Sequence, residues 1–350
     1  ANSAGAVTVN LSTSVHSGND AAGDTLTNIQ NLIGSDKAQT GDNLTGDASN
    51  NVLEGRLGHD TLDGGAGTDT AVFRGEFSGY SISFDAANGG TIVTDTDLSN
   101  GDDGVDTLSN IEVLSFSDSS RTLTWGTTGN ETLSGTSGDN ILFGGAGNDV
   151  LIGGSGEDHL DGGDGVDWAS YKFASTGVTV NLGDALQNTG VADGDTYVDI
   201  ENLEGSHSAD NLTGDASNNV LYGNGGNDTL DGGVGNDLVY GGDGDDILIG
   251  GLGNDTISGG NGNDTASYET STTGVTANLA NHNLNAGGAL GDSYISIDNL
   301  SGSAQADTLI GDGNDNILDG GAGNDTLNGG AGDDLFVFDD NGSTDTVMGF

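Results

Sequence analysis

The chain of 350 residues has no cysteine and no proline, a single methionine, and only five lysines and arginines against 55 aspartates and glutamates. Without cysteine, neither a disulfide nor a thiolate-held metal is available to it. A net charge of -50 excludes nucleic acid and anionic membrane surfaces as partners. Long apolar runs are missing too, so no segment is suited to insertion across a membrane. Aromatic residues make up 5% of the chain, which leaves little for a sugar-stacking platform, and Trp125 and Trp168 read as packing residues. His59, His159 and His207 fall within repeat units, and His16 and His282 lie in the inserts. None belongs to an HExxH or a Ser-His-Asp spacing, so no catalysis is expected. The first five residues show neither a basic region nor an apolar run. The expectation is that no amino-terminal signal peptide is present and that the chain is an internal fragment or is exported by a signal elsewhere.

What the chain has instead is glycine, 66 residues of it, and acid, whose natural partner is a cation. At 32% hydrophobic, a chain this polar sits near the disordered class without a ligand. Residues 223–267 are five unbroken nonapeptides, GNGGNDTLD, GGVGNDLVY, GGDGDDILI, GGLGNDTIS and GGNGNDTAS. A fixed period implies a stacked architecture, here one elongated body with a thin core. Glycines at positions one, two and four allow positive φ and let carbonyl oxygens converge where a Cβ would obstruct them. Asp at position six adds a carboxylate. Hard oxygen donors without nitrogen or sulfur suit calcium rather than zinc or copper. The last three residues form a minimal strand with one inward apolar side chain (Leu230, Val239, Leu248, Ile257, Ala266). One nonapeptide then makes half a coil, and two make a full one.

The pattern GGxGxDxUx resembles the RTX (repeats-in-toxin) calcium-binding nonapeptide repeat. That resemblance implies an all-β fold, a right-handed parallel β-roll or β-solenoid, with calcium held between turns on each edge. It also implies export through a type I secretion apparatus to the extracellular space or the bacterial cell surface.

Along the chain, residues 1–45 read as insert-type β coils, 46–72 as a first repeat block preceded by a degenerate unit at Lys37, and 73–125 as a small β subdomain or hairpin leaning on the roll. Block two spans 126–171, inserted coils 172–204, block three 205–268, inserted coils 269–301 and block four 302–338. Residues 339–350 resemble the entry to a carboxy-terminal cap. The inserts repeat among themselves: AVTVNL, GVTVNL and GVTANL are each followed by an Asn-Leu strand, and the separation is the same from Leu11 to Leu32, from Leu182 to Leu203 and from Leu279 to Leu300. Runs such as Ala71-Val72-Phe73 and Ala169-Ser170-Tyr171 close the blocks and are suited to capping the apolar interior.

On one edge, position-six residues recur with every second unit. The candidate pairs are Asp42 with Asp60, Asn51 with Asp69, Glu131 with Asp149, Asn140 with Asp158 and Asp149 with Asp167. Block three adds Asp210 with Asp228, Asn219 with Asp237, Asp228 with Asp246, Asp237 with Asp255 and Asp246 with Asp264. Block four adds Asp307 with Asp325 and Asn316 with Asp334. The resemblance implies that glycine carbonyls at positions two and four complete each shell: Gly65, Gly67, Gly145, Gly147, Gly154, Gly156, Gly163, Gly165, Gly233, Gly235, Gly242, Gly244, Gly251, Gly253, Gly260, Gly262, Gly321, Gly323, Gly330 and Gly332. Asp95, Asp97 and Ser99, and residues 339–343, echo EF-hand spacing without its closing Glu and read as solvated loops.

At about tenfold excess over a dissociation constant on the order of 0.1 to 1 mM, each ion contributes roughly 1.4 kcal/mol, and roughly ten ions on the order of 14 kcal/mol. That equals the whole stability of an ordinary domain, so binding and folding are expected to be one event. Two roles compete: a structural or adhesive surface or matrix protein, self-associating or touching a glycan or cell surface, and a non-catalytic secretion and folding module of an exoenzyme or toxin. Repeated inserts and the lack of a catalytic motif favour the first.

Overall fold

The computed structural model describes residues 5–13, 15–18, 21–36, 41–85, 90–99, 103–338 and 344–348. Among these there is no α-helix, only short strands and four 3-10 turns, and no helix is long and apolar enough to cross a membrane. The chain divides into two compact units, Ala1–Thr128 with Leu133–Gly145, and Gly129–Thr132 with Ala146–Phe350, where the repeat period alone suggests one continuous body. In a stack each coil touches only its neighbours, so periodicity by itself does not say where one compact unit ends.

In the second unit the expected register holds. Val220–Gly225 pairs in parallel with Leu238–Asp243, and that strand with Thr256–Asn261, each residue opposite its counterpart two repeats on. On the other side, Asn211–Thr213, Thr229–Asp231 and Ile247–Ile249 stack with the same offset. Period-two alternation sends position eight inward, and Leu221, Leu230, Val239, Leu248, Ile257 and Ala266 are wholly buried between the two sheets. Positions seven and nine face out, where Trp168 stacks on Tyr222 at 5.3 Å between ring centroids, and Tyr222 lies 4.9 Å from Tyr240. Tyr171 and Tyr268, at the ends of their blocks, are buried.

The inserted coils join the same stack. Asn202–Glu204 and Asn299–Ser301 take ordinary places in the sheets. Ser293–Ile295 is the last strand of one sheet, while Thr179–Asn181 and Val275–Asn278 begin new ones by pairing with Asn211–Thr213 and Thr308–Ile310. The chain between leaves as short turns at residues 185–187, 190–192 and 282–284.

The first unit has the same construction. Thr8–Asn10, Asn43–Thr45 and Thr61–Asp63 pair in parallel, as do Asn31–Ile33, Val52–Glu54 and Thr70–Val72. Its core runs through Leu32, Leu44, Leu53, Leu62 and Ala71 to Phe73, Phe116 and Ile141. The link 73–125 does not stand apart as a subdomain. Tyr80–Asp85 and Gly90–Asp95 do form a hairpin, but Val105–Ser109 pairs with Thr61–Asp63 and Val113–Ser115 with Thr70–Val72, continuing the roll. Its sequence DTLSNIEVL is a further copy of the insert pattern DTYVDIENL. Trp125 packs at the edge of this region and donates Nε1–H to Thr91 Oγ1 at 3.1 Å. The degenerate unit at Lys37 and residues 339–343 lie outside the described residues, and Thr346–Met348 adds one more strand beside Thr326–Asn328.

Leu248→Ala, which opens a cavity in this thin core, is expected to cost about 3 kcal/mol, while Ile247→Ala on the outward face changes stability by less than about 0.5 kcal/mol. Urea denaturation in saturating calcium measures both.

Candidate metal sites along the roll edges

Each strand is preceded by its position-six residue, so the parallel register stacks these residues along the edges of the roll. One oxygen of each carboxylate is committed to this stacking. The Asp210 N–H donates to Asp228 Oδ1 at 2.8 Å, Asp228 N–H to Asp246 Oδ1 at 2.8 Å and Asp246 N–H to Asp264 Oδ1 at 3.0 Å. A second file runs from Asn219 to Asp237 to Asp255, at 2.8 Å for each bond. The same bond joins Asp42 to Asp60, Asn51 to Asp69, Glu131 to Asp149, Asp149 to Asp167, Asp307 to Asp325 and Asn316 to Asp334. These pairs, inferred from a spacing of two units, are brought together. Asn140 belongs to the first compact unit and Asp158 to the second.

The other oxygen is left over. Oδ2 of Asp60, Asp69, Asp149, Asp167, Asp228, Asp237, Asp246, Asp255, Asp264 and Asp325 is buried and accepts no hydrogen bond from the described residues. A buried charged oxygen without a partner costs free energy, which a bound cation would offset. Burial pushes the carboxyls of Asp228 and Asp237 from 3.8 to about 7, and those of Asp60, Asp167 and Asp264 to about 6. It raises Asp69, Asp246, Asp255 and Asp325 as well.

The glycine loops bring neutral oxygens to the same edges. A Cβ on Gly244 would lie 1.7 Å from the carbonyl oxygen of Gly226, and one on Gly253 1.4 Å from that of Gly235, each in the loop two units earlier. The carbonyls of successive loops are therefore stacked at contact distance. All twenty glycines assigned to the shells have positive φ except Gly165, whose own Cβ would lie 1.6 Å from Gly147 O. Among the described residues no group of three or more His, Cys, Asp or Glu side chains gathers at one point. Bare buried carboxylate oxygens beside files of backbone carbonyls fit a hard cation such as calcium, and offer nothing to a soft one.

The ladder also contains acids that the nonapeptide spacing does not reveal. Asp60 N–H donates to Asp106 Oδ1 at 2.8 Å and Asp69 N–H to Glu112 Oε2 at 2.7 Å. Asp195, Glu201, Asp292, Asp298 and Asp345 receive the corresponding bonds from Asp158, Asp167, Asp255, Asp264 and Asp325. The sequence signal is an acid followed two residues later by an inward apolar or aromatic residue, as in Asp195-Thr196-Tyr197. These half-coils, Asp195 to Glu201 and Asp292 to Asp298, are shorter than a nonapeptide. They turn through Asp199 and Ser296, at φ 48° and 49°, and so lack a glycine loop. Asp95, expected in a solvated loop, is buried and accepts N–H bonds from Asp97 and Asp103 at 3.0 and 2.9 Å.

A parallel roll with oxygen-only donor files along its edges is a calcium-binding repeat protein in its architecture. The sequence model of the RTX calcium-binding nonapeptide repeat matches residues 39–71, 125–160, 134–169, 204–239, 232–266, 296–327 and 310–344, together more than half of the chain. The chain belongs to the RTX calcium-binding repeat family. Comparison with curated proteins gives no match. Among solved structures, the extracellular lipase LipA from Serratia marcescens is similar at 19% identity, with a TM-score of 0.18. That alignment covers 65% of this chain and 33% of the lipase, so the chain spans about a third of that protein's length.

Two outcomes follow from this geometry. Gly244→Ala forces either the loop or the carbonyl file apart and is expected to cost about 2 to 4 kcal/mol in calcium, whereas Gly313→Ala, with open space around its Cβ, is expected to be tolerated; thermal unfolding distinguishes them. In chelator, the raised carboxyl pKa values mean that the folded chain holds protons that the unfolded chain has released. Stability of the metal-free roll is therefore greatest near pH 4 and falls as pH rises to about 7, the reverse of a salt-bridged carboxylate. Circular dichroism against pH in chelator reads the sign.

Proposed function

We propose that this chain is a non-catalytic, calcium-dependent β-roll that is exported unfolded by a type I secretion apparatus, folds on meeting extracellular calcium, and serves as a structural or adhesive component of a cell surface or matrix. The observation that carries this reading is the row of buried Oδ2 atoms without a partner among the described residues. In a cytosol poor in free calcium their repulsion opposes folding; outside, each bound cation removes that cost and adds binding free energy. The charge distribution supports the same account. No lysine or arginine follows Lys172, so the repeats of blocks three and four have no internal side-chain counter-ion beyond histidine, and positive charge must come from solution. Recurrence of the same inserted coil in successive blocks supports a structural role, because each copy extends the stack while presenting a further surface turn.

The test is a calcium titration followed at once by circular dichroism and light scattering. The expected result is cooperative folding at about 0.1 to 1 mM calcium, reversed by chelator, with ordered assembly of the folded chain. Folding to a lasting monomer would point instead to the module of an exoenzyme or toxin. Unchanged dichroism on chelation would remove the calcium-dependent reading altogether.

A further inference from the structure

The position-six side chains are of two kinds, separated by what holds their second polar atom. Inside the blocks that atom is a bare oxygen, as in Asp228, Asp246 and Asp264. At the head of a block it is not. Asp210 Oδ2 accepts the Ser206 N–H at 2.6 Å and the Ser206 hydroxyl at 3.1 Å. Asp307 Oδ2 accepts the Ser303 N–H at 2.6 Å and its hydroxyl at 3.0 Å. In the first unit Asp42 Oδ2 accepts the Ser35 N–H in the same way.

The next repeat unit of each of these blocks reaches the same result with an amide. Asn219 Nδ2 donates to Glu201 O at 2.6 Å while its Oδ1 accepts the Asp215 N–H at 2.8 Å. Asn316 is bound to Asp298 O and the Asp312 N–H, at 2.8 and 2.9 Å. In the shorter half-coils of the inserts the donor is a phenol: Tyr171 donates to Asp195 Oδ2 at 2.7 Å, and Tyr268 to Asp292 Oδ2 at 2.8 Å. All of these position-six side chains are buried, so the choice of partner is enforced.

We propose that calcium is confined to the block interiors, and that at the heads of the blocks opened by Asp42, Asp210 and Asp307 and in the inserted coils the chain's own hydroxyls and amides take the place of the ion. A carboxylate oxygen that already accepts two hydrogen bonds has little left to donate to a cation, and the N–H dipoles aimed at it repel positive charge. The loops there are also closed to an ion. Positions two and four carry Ser206 and Ser208, or Ser303 and Gln305, in place of the glycine pair, and none of the four has positive φ. The reason lies in the stacking. An interior ion is shared by loops two units apart, and the Ser206 and Ser303 loops lack the glycine pair through which such an ion would be shared. Asn51, Asn219 and Asn316, read from spacing as ligands, then act as direct hydrogen-bonded links.

This inference rests on the calcium reading proposed above, and ion counting separates the two. Bound ions are counted by native mass spectrometry in calcium, with circular dichroism to verify folding. Asp246→Asn/Asp264→Asn is expected to lose ions, and Asp210→Asn/Asp307→Asn to keep the wild-type count. Equal losses in the two variants overturn the proposal. Should Asp210→Asn/Asp307→Asn fail to fold, Ser206→Gly/Ser208→Gly decides, since it restores the loop to GGHGAD. It is expected to bind more ions than wild type, and an unchanged count overturns the proposal. A wild-type chain that binds no calcium overturns both readings.

Discussion

Everything in this fold depends on a carboxylate whose two oxygens have different duties. One accepts the N–H of the position-six residue two units earlier and so fixes the height of each coil on the next. The other is buried beside it with nothing to accept in the block interiors. The first duty aligns the backbone whatever the solvent contains, while the second makes that alignment costly unless a cation is present. Separating the two oxygens in this way couples register to ion binding, and the coupling repeats along the stack.

Glycine makes the arrangement possible by removing side chains from the edge. With carbonyl oxygens lying where a Cβ of Gly244 or Gly253 would be, successive loops approach to contact and leave only oxygens facing the carboxylates. The interior supplies little by comparison: one apolar side chain per half-coil, Leu248 or Ile257, pressed between two sheets. A core one residue thick contributes about 2 kcal/mol per side chain, and much of the entropy of ordering so many glycines must be offset elsewhere. Cation binding at the edges is the term available for that.

The inserted coils show how such a stack is renewed. Those at 172–204 and 269–301 each end one sheet and start another, with Thr179–Asn181 and Val275–Asn278 as the first parallel strands. Around them the bonding changes from bare oxygens to Tyr–Asp and Ser–Asp contacts. Polar networks that are complete in themselves sit where the regular edge is interrupted, and incomplete ones sit where neighbours recur on both sides.

Much of this was legible in the residues. The nonapeptide register alone determined the parallel pairing of every second unit, the inward row from Leu221 to Ala266 and the oxygen chemistry of the edges, because these follow from local periodicity and from what glycine and aspartate each permit. The tertiary structure decided what local spacing cannot carry. Asp106, Asp195 and Asp292 enter the ladder across offsets of 46, 37 and 37 residues, so no fixed period points to them. Residues 105–115 lie in the roll because their strands find partners there, although their chain context reads as a hairpin. Whether a position-six acid keeps a bare oxygen depends on a serine or tyrosine reaching it, close in sequence for Ser206 and Asp210 but distant for Tyr171 and Asp195. Such contacts are set by how coils meet, and only the folded stack brings them together.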